Sequence, residues 1–191
     1  MYFMARSSLN ISKRQGFILY NALSFQCVWW TSVLFGNSTL LLSIPLLVVH
    51  FMLLPWVETA RAIPRDLSTM LKVGLLGMAI DGLLIWMGIF EFPVFPGWLA
   101  CLWLHFAVSL HHSLSFIRTF AIVLQAILGG VFGCLSYLAG ARLYAVNLPF
   151  GEGISVIILA VIWAILLPVF IYLSRNHRLN RQTADARLYG S

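Results

Sequence analysis

A chain of 191 residues with 61% hydrophobic and only 9% charged side chains cannot build a water-exposed surface, since soluble domains carry roughly 25% charge. Its formal net charge of +6 does not point to nucleic acid, because the basic residues flank apolar segments and form no patch. Cys27, Cys101 and Cys134 are scattered through apolar segments and offer neither a disulfide framework nor a zinc-site spacing.

Apolar runs near the length of about 20 residues that a bilayer-crossing helix needs recur along the chain. They predict helices over Gly16–Gly36, Ser38–Trp56, Thr69–Phe90, Trp98–Phe116, Phe120–Ala141 and Gly153–Leu173. The fold class expected is all-α: a polytopic membrane protein with six transmembrane helices. The first two runs are separated by Gly36-Asn37-Ser38 alone, which predicts a tight hairpin. Two prolines, Pro93 and Pro96, separate the third from the fourth. The first run is longer than a signal-peptide core and no A-x-A-like site follows it, so an uncleaved helix is expected.

Every Lys and Arg except Arg142 falls on one side of this arrangement, eleven of the twelve. Arg6, Lys13 and Arg14 precede the first helix. Arg61, Arg65 and Lys72 lie at the second connection, Arg118 at the fourth, and Arg175, Arg178, Arg181 and Arg187 in the tail. The positive-inside rule then places both termini in the cytoplasm. Residues 1–15 form a cytoplasmic segment, 16–173 the six-helix domain and 174–191 a basic cytoplasmic tail. The sequons at Asn10 and Asn37 are matches by chance, one cytoplasmic and the other against the membrane.

Ionisable groups at bilayer depth cost about 2.5–3.5 kcal/mol and usually face the bundle interior. Asp81 lies in the third run on a stripe with Gly74 and Gly77, where another helix can approach closely. It either glues helices by hydrogen bonding or serves chemistry or transport. In the fourth run Cys101, His105, Ser109 and His112 share a face at helical spacing, with His111 turned about 100° away. His105 is level with Asp81, and Gln26 and Asn21 of the first run complete a candidate polar seam. No cofactor is predicted. A haem or metal between His50 and His105 or His112 is the arrangement left open, although H-x5-H-H contains no i, i+4 chelating pair.

Gly129, Gly133, Ser136 and Gly140 form a small-residue face on the fifth run, suited to an internal contact or a homodimer. Tyr137, Arg142 and Tyr144 follow at its outer end as candidates for a lipid headgroup, with Glu91 and Glu152 as possible partners for Arg142. No P-loop, G-x-S-x-G elbow, H-E-x-x-H or dinucleotide fingerprint is present, and no repeat relates the two halves.

Several stretches, taken as a set, carry a resemblance. They are Asn21-Ala-Leu-Ser-Phe-Gln26 with Trp29-Trp30, Leu76-Gly-Met-Ala-Ile-Asp81, Pro96-Gly-Trp-Leu-Ala-Cys-Leu-Trp103, Phe106-Ala-Val-Ser-Leu-His-His-Ser-Leu114, and Gly129 through Leu143. Together they resemble a bacterial inner-membrane family known as domain of unknown function 2878, over roughly residues 18 to 173. The resemblance implies a bacterial inner-membrane location, no established activity, and a setting near fatty-acid-modifying enzymes. It also implies that His112 matters more than His111, whose position often holds Asn in the family. The function expected is an accessory or lipid-binding protein of membrane-lipid metabolism, with membrane lipids, other membrane proteins or lipid-modifying enzymes as partners. An intramembrane enzyme acting on a lipid or quinone through Asp81 and His112, and a small proton-coupled transporter, are the alternatives.

Overall fold

The computed structural model describes residues 2–59, 61–92, 94 and 96–175, with side chains from residue 12 onward. The basic tail beyond Arg175, the side chains of Arg6 and Asn10, and Pro93 lie outside the described residues. Regular structure among the described residues is helical: α1 (Tyr2–Phe35), α2 (Leu40–Val57), α3 (Ala62–Trp86), α4 (Gly97–Ser109), α5 (Ile122–Arg142) and α6 (Glu152–Leu173). Tighter 3-10 turns occupy Gly36–Thr39 and Ser115–Thr119.

Four apolar helical stretches are long enough to cross a membrane: Ser12–Val57, Ala62–Trp86, Ile122–Arg142 and Glu152–Leu173. The first has 46 residues and would run about 69 Å if straight, over twice the roughly 30 Å hydrocarbon layer. It is two helices, broken where Gly36 adopts φ +54°. α2 folds back on α1, and the Tyr20 hydroxyl donates to the Leu46 carbonyl at 2.6 Å.

Four helix ends differ from the sequence expectation by four residues or more, among them that of α3, which stops at Trp86 and not at Phe90. α1 begins at Tyr2, so the chain before Gly16 continues the same helix. α3 begins at Ala62, seven residues ahead of Thr69, with Pro64 in the first turn, where the ring costs no hydrogen bond. α4 stops at Ser109 and not at Phe116. There Ser109 Oγ donates back to the His105 carbonyl at 2.8 Å, a local bond that competes with the helix ladder. The following amides shift to three-residue steps, His111 to Val108 and His112 to Ser109, both at 3.1 Å.

The connections gather at the two ends of the bundle. At one end Trp98 N donates to Asn37 Oδ1 at 3.1 Å, and the bridge between Glu91 and Asn147 ties the α3–α4 loop to the α5–α6 loop. At the other end Arg14, Glu58, Ser115, Arg118 and Ser174 surround one cavity. The six helices therefore alternate in direction. The core is aromatic: Trp103 and Trp163 stack at 5.4 Å with planes 8° apart, and Phe170 is fully buried against them. Gly133 lets α5 meet α6 so closely that an added Cβ would lie 2.1 Å from Trp163 Cγ. The outside of the bundle is apolar, with Leu41 85% and Trp86 83% exposed.

Candidate functional site

Asp81 is buried in the bundle, and both of its oxygens are bonded. Trp103 Nε1 donates to Oδ2 at 2.6 Å, and the Tyr137 hydroxyl donates to Oδ1 at 2.7 Å. Gly77 is what lets the Trp103 ring come this close, because a Cβ there would lie 2.3 Å from it. No histidine touches Asp81 among these contacts. His105, level with Asp81 in the sequence reading, is bonded instead to α2, where its Nε2 lies 3.1 Å from Ser43 Oγ and 3.2 Å from the Ser43 carbonyl.

The acid that meets the histidines is Asp66, at the start of α3. His112 Nε2 lies 2.7 Å and His50 Nε2 3.1 Å from Asp66 Oδ2. Arg65 Nε donates to Oδ1 at 2.9 Å, and Arg65 Nη1 reaches Glu58 Oε2 at 2.8 Å. Glu58 Oε1 in turn stands 3.6 Å from His112 Nδ1. Asp66 is fully buried, and His50 and His112 are nearly so. The ligand atoms of His50, Asp66 and His112 all lie within 4.8 Å of one another, which gives this trio the geometry to hold a metal ion.

His111 joins the same end through a second chain of bonds. Arg118 Nη2 donates to His111 Nδ1 at 2.8 Å, and a guanidinium has only donors, so Nδ1 carries no proton. Nε2 then donates to Thr69 Oγ1 at 2.7 Å, and the Thr69 hydroxyl donates to the Arg65 carbonyl at 3.1 Å. Arg118 Nε is buried with no partner. Burial lowers the Arg118 pKa from its ordinary value, helped by the charges of Arg65 and Arg175 and opposed by Asp66.

A polar cavity of about 470 Å³ opens beside this cluster, with Arg14, Arg65 and Arg118 in its wall. An aromatic cavity next to Tyr137 and Trp103 holds only about 80 Å³. Ligand pockets are usually about 300–1,000 Å³. Among the described residues two cavities reach ligand size: this one, and one of about 430 Å³ at the opposite end of the bundle, lined by Asn37, Trp98 and Tyr144. Only the first has arginines in its wall.

The remaining sequence candidates divide between the two regions. Asn21 is buried and its Oδ1 accepts from Ser113 Oγ at 2.6 Å, so it belongs to the Asp66 end. Ser109 is buried and spends its hydroxyl on the helix terminus. Gln26 is a correction: it lies on the exposed face of α1, because the seam side of that helix is taken by Ser24, Val28 and Asn21. Tyr137 is corrected too, being bonded to Asp81 inside the bundle and not set at a headgroup. Arg142 makes a bidentate pair with Glu152 at 2.6 and 2.5 Å on the surface, and Tyr144 is 88% exposed. Gly129 and Gly133 face α6 within the chain, Gly74 faces Leu104 of α4, and Gly140 has ordinary room. Ser136 Oγ accepts from Trp29 Nε1 at 2.8 Å.

Asp66 and Glu58 are not singled out by the sequence, and Arg65 and Arg118 enter it only as basic residues that set the orientation. The available signal was Pro64, whose place in a first helical turn brings Asp66 inside α3.

Comparison with curated proteins and with solved structures gives no match. One family model does match, over residues 18–169, a stretch that takes in α2 to α5, most of α1 and α6, and both buried aspartates. The chain belongs to the family described as protein of unknown function (DUF2878).

Proposed function

We propose that this chain is a six-crossing protein of the bacterial inner membrane, with both termini cytoplasmic, that binds the phosphate-bearing head of a membrane amphiphile. The observation that carries this reading is the 470 Å³ cavity with Arg14, Arg65 and Arg118 in its wall. Guanidinium groups bind phosphate in forked, charge-assisted pairs, and Arg118 brings a buried Nε with no partner. Glu58 also lines the cavity, but its Oε2 is already held by Arg65. Six crossings are supported by the alternating helix directions, the apolar exterior and the bias of eleven in twelve basic residues toward one side of the apolar runs in the sequence. The headgroup site thus moves from Arg142, which Glu152 occupies, to the opposite end of the bundle. The Asp81–His112 pair that the enzyme alternative would use is absent, since each of the two is bonded elsewhere.

The test uses the full chain in phosphatidylcholine nanodiscs with and without phosphatidic acid. Phosphatidic acid should raise the unfolding temperature, and Arg118→Gln should weaken its binding about tenfold, the worth of one charge-assisted hydrogen bond. Equal binding by the variant and the parent overturns the reading. Topology reporters fused at Asn37 and Leu148 should be active outside, and those at Thr59 and Arg175 should not.

A further inference from the structure

The anion cavity leaves unexplained why two histidines and an aspartate from three separate elements converge behind it. We propose that His50, Asp66 and His112 bind a divalent first-row transition-metal ion, through Nε2, Oδ2 and Nε2 respectively. This is independent of the anion reading, because the ligand set includes none of the cavity arginines.

The carboxylate is already oriented for such an ion. Arg65 holds Oδ1 through a hydrogen bond from Nε at 2.9 Å, with Nη2 at ion-pair distance, and Oδ2 faces the two imidazoles at 2.7 and 3.1 Å. A tetrahedral ion with bonds of about 2.0–2.2 Å keeps its donors roughly 3.3 Å apart. All three atoms lie within 4.8 Å of one another, so rotamer adjustments suffice to seat it.

The outer contacts also suit a metal. Histidine ligands are usually oriented by a carboxylate on the far ring nitrogen, and Glu58 Oε1 stands 3.6 Å from His112 Nδ1. His112 Nε2 is hydrogen-bonded to Asp66 Oδ2 at 2.7 Å, so a bound ion takes the place of the proton they share and moves the two atoms out to ligand spacing. Phe17 packs its ring 4.9 Å from His112 and 5.0 Å from His50, and Phe51 stands 5.1 Å from His50. These rings pack against both imidazoles and limit how far their planes can turn. Two imidazoles and a carboxylate, with no thiolate, suit Zn²⁺ or Fe²⁺ and not a soft ion such as Cu⁺.

The experiment is a Co²⁺ titration of the chelator-treated full chain in nanodiscs, read by visible d–d absorption and by metal analysis. About one equivalent per chain is expected, with affinity rising with pH as the ligands lose protons. His50→Gln and His112→Asn should each weaken Co²⁺ by more than about tenfold, and Glu58→Gln by about 10–100-fold. His105→Gln, a buried histidine tied to Ser43 instead, should bind as the parent does. A parent chain with no d–d bands and less than about a tenth of an equivalent overturns the proposal, whatever the variants do. So does unchanged binding in both histidine variants. Parent binding is measured on the folded chain, so a variant that fails to fold leaves the proposal open to refutation. Loss of Co²⁺ binding with phosphatidic acid binding intact counts against the metal alone.

Discussion

The two buried aspartates of α3, about 22 Å apart along its axis, meet opposite kinds of partner. Asp81 is held by an indole N–H and a phenol O–H inside an aromatic layer, beside a cavity of about 80 Å³. Asp66 is held by two imidazoles and a guanidinium, beside a polar cavity of about 470 Å³. Depth within an apolar helix made Asp81 the conspicuous residue, yet its neighbours leave little to do but pack. Fixed neutral donors on both oxygens tie α3 to α4 and α5, whereas titratable and cationic partners beside a cavity give Asp66 a chemistry.

The sharpest way to break this comparison is Asp66→Ala. It leaves Arg65 and two imidazoles without their shared acceptor, and removing one partner of a buried charge network costs about 3–5 kcal/mol. Unfolding of the purified chain in mixed micelles measures it. A loss no greater than that of an ordinary surface variant would make the Asp66 end a solvated rim. Next comes Tyr137→Phe, which takes one donor from Asp81. Side-chain hydrogen bonds between membrane helices are worth about 0.6 kcal/mol on average and at most about 1.7, so a loss near 1 kcal/mol is expected, with phosphatidic acid binding unaltered. A change in that binding would join the two regions into one site. Smallest is Arg142→Gln, whose pair with Glu152 is bidentate but 68% and 47% exposed. Its melting temperature should match the parent's, showing that a short ion pair without burial does not define a site.

Much of the helical plan was legible because apolar runs and small-residue spacing report directly on burial and close approach. α5 and α6 fall within two residues of the apolar runs that predict them. The site was less legible, for two physical reasons. A helix start depends on a capping geometry that hydropathy does not register, so the apolar run begins at Thr69 and leaves Asp66 in the connection before it. The break after Ser109 then turns His112 off the helical face it was expected to share with His105. Its pairing with Asp66 depends on that break, which a regular periodicity cannot foresee. Asn21 is buried and bonded to Ser113, while Gln26, five positions on, points outward.

At 1.5 Å per residue, the 13 residues of α4 reach only about 20 Å, against a hydrocarbon layer of about 30 Å. Non-helical backbone at that depth persists only where protein or water covers it, and Ser115, in the chain that follows, lines the polar cavity. In the six-crossing arrangement proposed above, electrolyte entering that cavity would carry the cytoplasmic potential inward as far as His111 and Ser115 in its wall. A membrane voltage would then fall mostly across the aromatic layer around Trp103. An ion at His50, Asp66 and His112 would exchange with the cytoplasm almost free of that voltage. Asp81 would sit inside the field.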